Sequence, residues 1–190
     1  MSVVVALKEG DTFYIGADMQ ATYGNLKYLP QTQSVTMETF KIWEVANTKR
    51  AVMGGVGDLR EIQIIKYADN LIDELSVLKS AINMKYIVNN LAAQMHKLLS
   101  EQHAIKSDAL TMHSEYIFCF KNKAWIISSS FAALEIDDYA AIGSGQEVAL
   151  GSLKSTENSD LSPEERVEQA IQAAIQNTVY VGGEVEILLT

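Results

Sequence analysis

The run SVVVALKEGDTFYIGAD, residues 2–18, constrains this chain more than any other stretch. Two short segments rich in β-branched and aromatic residues, SVVVALK and TFYIGAD, are separated only by EGD, which predicts a hairpin at the start of the chain with Asp18 at the exit of its second strand. FKIWEV and RAVMGGV around ANTK predict a second hairpin. The mixed Gly, Pro, Asn and Thr content of residues 19–38 between them reads as an excursion at the sheet edge. From Leu59 to Leu78, Leu59, Ile62, Ile65, Ile72, Leu75 and Leu78 recur at helical spacing, and Ile82 to Leu99 repeats the pattern. Two consecutive amphipathic helices in one layer are expected. SEYIFCFKNKAWIISSS returns to strand character with a turn at Asn122, and YAAIGSG is a further strand that ends in a turn before a helix near Gln146. Ser162, Pro163 and Glu165 form a helix-start signal, and GGEVEILLT closes the chain as a strand. Hairpins stand where β-α-β crossovers would otherwise be needed, so antiparallel sheets between helical layers are expected, an α+β fold.

A length of 190 residues fits one domain, 1–190, with a core that needs neither disulfide nor metal. The net charge of −9 excludes a general nucleic-acid binder, because phosphate backbones are repelled. The single cysteine, Cys119, lies in the apolar stretch YIFCF and reads as packing. No apolar run reaches the roughly 20 residues of a membrane span and no secretion signal opens the chain, so a cytoplasmic protein without membrane partners is expected. His96, His103 and His113 have no clustered carboxylates or thiols around them; no metal site and no cofactor are expected.

Taken singly, the polar residues admit ordinary readings. Asp18 can cap the strand exit, Lys41 can face outward between Phe40 and Ile42, Asp58 can cap a helix after GGVG, and GSG can be a plain turn.

Five pieces nonetheless fall in one order across the chain: SVVVALKEGDTFYIGADMQATYGN, KIW, AVMGGVGD, AIGSG and VYVGGEVEILL. Together they resemble the proteasome β-subunit family, and GADMQATYGN is especially similar to its bacterial HslV branch. The resemblance implies a four-layer αββα sandwich of the N-terminal-nucleophile hydrolase kind, a ring-forming subunit, and peptide-bond hydrolysis. It places Ser2 at the nucleophile once Met1 is removed, Asp18 at the aspartate that orients a lysine, and Lys41 at that lysine. Gly54 falls at the oxyanion-hole glycine and Ser144 at the serine beside the nucleophile; Ala21, Thr22, Val52 and Val56 match positions that hold the substrate strand and line its pocket. Thr178 and Val181 depart from the pattern, standing where proteasome subunits carry an aspartate and a serine.

The chemistry suits these residue types. A serine hydroxyl needs a nearby base, and a free α-amine with a pKa of roughly 7.7–8.0 is partly neutral near pH 7. A lysine ammonium favours the developing alkoxide, and a buried aspartate keeps it aimed. The implied partners are a peptide or unfolded protein as substrate, further copies in a homo-oligomeric ring, and an ATP-dependent unfoldase. Two other readings stay open: a catalytically inactive ring-forming subunit or scaffold on the same fold, and a small-molecule amidohydrolase with the same nucleophile.

Overall fold

A computed structural model describes residues 2–23, 26–29, 41–46, 48, 51–72 and 82–190. The expected first hairpin is β1 (Val3–Glu9) and β2 (Thr12–Asp18), paired antiparallel with Val4 opposite Ala17. β3 (Ala21–Tyr23) and β4 (Leu26–Tyr28) make a small separate ladder within the predicted excursion, whose residues 24, 25 and 30–38 lie outside the described ones. The second hairpin is β5 (Ile42–Glu44) with β6 (Ala51–Val56). β7 (Glu115–Phe120), β8 (Lys123–Ile127) and β9 (Ala133–Ile136) continue that sheet in the order β5-β6-β7-β8-β9. β10 (Tyr139–Gly143) and β11 (Val185–Leu189) complete the first one as β10-β1-β2-β11.

The two sheets pack face to face. Val4, Ala6, Phe13 and Ile15 meet Ile42, Val52, Val56, Ile117 and Cys119 in the core between them. This sandwiching explains why β1 and β6 read as near-continuous apolar runs: both of their faces are covered. The outer face of the five-stranded sheet is covered by α1 (Leu59–Lys66) and by α2, which runs as Met84–Tyr86, Ile87–Leu91 and Ala92–Glu101. The outer face of the four-stranded sheet carries α3 (Gln146–Ser155) and α4 (Pro163–Asn177). The architecture is the expected αββα sandwich. Among the described residues no helix is long and apolar enough to cross a membrane.

Local signals account for the helix starts. Asp58 caps α1 by accepting from the amides of Arg60 and Glu61, and Ser162 and Glu165 form a complete capping box on α4. The first predicted central helix is too long: α1 ends at Lys66, and Ala68–Ile72 are not helical. Asp69 and Asn70 in that stretch are turn formers, and Ile72 is buried without belonging to a helix. Leu75 and Leu78 lie outside the described residues. Strand β9, absent from the sequence reading, is short and its middle residues are exposed at a sheet edge, so it carries no apolar alternation. The π-helical turn Ile87–Leu91 inside α2 has no sequence signature either.

Candidate active site

Asp18, the last residue of β2, is 1% exposed and fully used. Its Oδ1 accepts from the Val3 amide at 2.9 Å and lies 2.7 Å from Lys41 Nζ. Its Oδ2 accepts from the amides of Gln20 at 3.2 Å and Gly182 at 3.0 Å. One carboxylate thus holds the start of β1, the exit of β2, the approach to β11 and the foot of β5. Three backbone donors and a cation are what a buried carboxylate needs in place of water.

Lys41 immediately precedes β5 and is 4% exposed. Its ammonium is paired with the Asp18 carboxylate at 2.7 Å, both side chains being buried. Burial lowers the Lys41 pKa from 10.5 to about 8, with the Asp18 carboxylate pulling the other way.

Ser2 lies directly before β1 and is 6% exposed. The amide that follows it, that of Val3, shares Asp18 Oδ1 with Lys41, which brings Ser2 and the ammonium to the same end of the sandwich. The Ser2 carbonyl accepts long contacts of 3.4 Å from the Ser144 hydroxyl and from the Gly145 amide, where α3 begins. Gly143, at φ +95°, makes this approach feasible: a Cβ there would stand 2.3 Å from the Ser2 carbonyl oxygen.

Gly54 is opposite Ile42 in β6, and a Cβ on it would lie 2.7 Å from Val4 Cγ1 and 3.1 Å from Ile15 Cδ1. Its missing side chain lets the two sheets close beside Lys41. The Gly55 amide donates to the Lys41 carbonyl at 2.7 Å, and successive N–H groups of a strand alternate, so the Gly54 amide points toward β7. A donor role at Gly54 therefore requires that ladder to open. Val56 lies near the Ser2 end, its Cγ1 3.2 Å from where a Gly143 Cβ would be. Val52, four residues and about 13 Å along the strand, is consumed by the core between the sheets. Ala21 and Thr22 sit half-buried in β3 opposite Tyr28 and Lys27.

Where the chain departs from the pattern, the structure shows other uses. Thr178 ends α4, its hydroxyl donating to the Ala174 carbonyl at 2.8 Å. Val181 is a buried apolar contact in the outer core beside Val3 and Gly145. Sequence reasoning missed Gly143, Gly182 and Gln20 as parts of the site. Gly143 is visible as part of a turn and Gly182 reads as part of the closing strand, which begins only at Val185; what both approach is set by tertiary contacts.

Cys119, His96 and His113 have packing roles away from this site. Burial pushes the Cys119 thiol far up. His96 Nε2 meets the Ala109 carbonyl, and His113 pairs with the buried Glu61. Among the described residues no cluster suits a metal ion.

Residues 2–189 match the family described as "Proteasome subunit". The chain belongs to the proteasome subunit family. Solved structures agree on the fold. BPH of Thiobacillus denitrificans matches at TM-score 0.78 and 15% identity, and the same protein in complex with epoxomicin at 0.76 and 16%; each match covers 99% of this chain and 97% of that one. Eukaryotic HslV from Trypanosoma brucei matches at TM-score 0.69 and 18% identity over 98% of both chains. No curated protein matches. At these identities the neighbours speak for the proteasome-type fold alone.

Proposed function

We propose that this proteasome-family subunit is an N-terminal-nucleophile peptidase whose Ser2 attacks peptide bonds after Met1 is removed. The observation that carries the reading is the single Asp18 oxygen shared by the Val3 amide and the Lys41 ammonium. A carboxylate built only for strand-exit capping has no call for a buried cation, because burying a lysine is costly. Here the cation stands next to the chain start.

With Met1 gone, the Ser2 α-amine takes the hydroxyl proton as Oγ attacks the scissile carbonyl, forming the Oγ–C bond. Lys41, with its pKa near 8, remains mostly protonated at neutral pH and stabilises the alkoxide as it develops. The amine then returns the proton to the leaving amine as the C–N bond breaks. Water hydrolyses the resulting ester and frees Ser2. Thr22 and Ala21 on β3 hold the substrate strand, and Val56 closes the core between the sheets at the Ser2 end. A ring of such subunits in the cytoplasm, fed unfolded protein by an ATP-driven partner, is the setting this activity fits.

A second reading is a silent ring subunit, favoured by Val181, an apolar side chain where the family pattern has a hydroxyl, and by the Gly54 amide directed at β7. Protein with a free Ser2 amine, confirmed by intact mass, separates the two. Modification at Ser2 by a peptidyl vinyl sulfone or by epoxomicin, together with slow turnover of small peptides, supports the peptidase. Neither reaction in an assembled ring supports the silent subunit.

A further inference from the structure

We propose that Gln20 is a positioning residue that ties the substrate-strand edge at Thr22 to the Asp18–Lys41 pair, with its carboxamide seated over Gly182. The inference rests on the peptidase reading of this site.

Gln20 lies between Asp18 and β3 and is 2% exposed, an uncommon place for a long amide side chain. Its backbone amide donates to Asp18 Oδ2, and its side-chain Nε2 donates to Thr22 Oγ1 at 3.3 Å. Its Oε1 fills the space above residue 182: a Cβ on Gly182 would lie 2.4 Å from that oxygen and 3.4 Å from Cδ. Gly182 in turn gives its amide to Asp18 Oδ2 at 3.0 Å and accepts from the Met19 amide at 3.2 Å. Glycine at 182 and glutamine at 20 fit together, because a Cβ at 182 makes the carboxamide swing and give up its bond to Thr22. The carboxamide presses on the segment that supplies an Asp18 donor and holds the hydroxyl of the strand that would receive substrate. A side chain of equal length without the amide fills the volume but lets Thr22 turn away. Removing the side chain empties the space above Gly182, whose amide donates to Asp18.

The test uses the full chain with Met1 removed and reads two things. The first is independent of activity: the melting temperature and the Lys41 titration, followed by nitrogen-15 NMR of Nζ. Gly182→Ala should melt lower and move the Lys41 titration toward its ordinary 10.5. Gln20→Ala combined with Gly182→Ala should recover part of both losses, because the collision is gone. The second readout is Ser2 modification by a peptidyl vinyl sulfone. Gln20→Met and Thr22→Val should each weaken peptide binding about three- to tenfold, the scale of one hydrogen bond, with the maximal rate held within about twofold. The double variant should be no worse than either single one, since both remove the same bond. Additive losses, or a Gly182→Ala protein that melts and titrates like the parent, overturn the clamp. A parent chain never modified at Ser2 removes the peptidase reading, and the melting and titration pair still upholds or overturns the Gln20–Gly182 fit.

Discussion

Asp18 and Lys41 stand 2.7 Å apart on different sheets, one closing β2 and the other opening β5. The ion pair is a bolt between the layers at the end where Ser2 leads into β1. Asp18→Asn leaves a buried ammonium without its counter-charge, a change that costs about 3–5 kcal/mol in comparable buried pairs. Lys41→Met in the Asp18→Asn background should recover much of that loss. Urea unfolding of the parent, two single variants and the double variant measures the coupling. Losses that add across the two singles mean that the pair is not the bolt.

The depressed Lys41 pKa fixes the sign of a pH effect. The unfolded lysine titrates near 10.5 and the folded one near 8, so below pH 8 both states hold the proton and the burial penalty is fully present. Between pH 8 and 10.5 the unfolded chain holds a proton that the folded chain has released, and stability rises with pH through this group. Against Lys41→Met as reference, the parent should gain in urea midpoint from pH 7.5 to 10. A difference that stays flat or shrinks over that range contradicts the assignment.

Gly143→Ala should damage both stability and the site. The left-handed backbone at φ +95° costs a non-glycine residue about 1–3 kcal/mol, and the new Cβ meets the Ser2 carbonyl oxygen. Gly151→Ala is the control, since its Cβ position in α3 is open. Melting temperature should fall for the first and hold or rise for the second. If Gly143→Ala melts with the parent, the close approach of β10 to Ser2 is not real.

The local parts of this fold were legible because local physics decides them. The β1–β2 hairpin follows from two apolar runs and a three-residue break, and α4 from Ser162, Pro163 and Glu165 acting within one turn. The overlong helix from Leu59 came from periodicity continuing past Tyr67, where Asp69 and Asn70 favour a turn. The β9 edge strand lacks the burial that writes alternation into a sequence. For the site, the resemblance named Asp18 and Lys41 together, whereas nothing in their separate neighbourhoods did. Gln20 and Gly182 are 162 positions apart and fit only in three dimensions, so no window of sequence carries their relation.

The chain start separates an enzyme from a scaffold. An amide nitrogen at Ser2 has no useful basicity, so protein that keeps Met1 should be inert while every side chain stays in place. Removing Met1 should switch on modification of Ser2 by a peptidyl vinyl sulfone, and Ser2→Ala should abolish it. Lys41→Met should slow it by about 10²-fold or more, on the scale of losing one electrostatic donor to a developing oxyanion. Asp18→Asn should slow it too, because the lysine loses both its anchor and the charge that holds its proton against burial. Intact mass with peptide mapping identifies the site, and circular dichroism shows whether each variant keeps the parent fold. The Ser2→Ala fold should match the parent, since Val3 still gives its amide to Asp18. Equal reactivity with and without Met1 shows that the α-amine is not the base. No reactivity in the Met1-free parent means that the Asp18–Lys41 pair is only the bolt between the sheets, and makes Val181, packed beside Val3 and Gly145, the first residue to change.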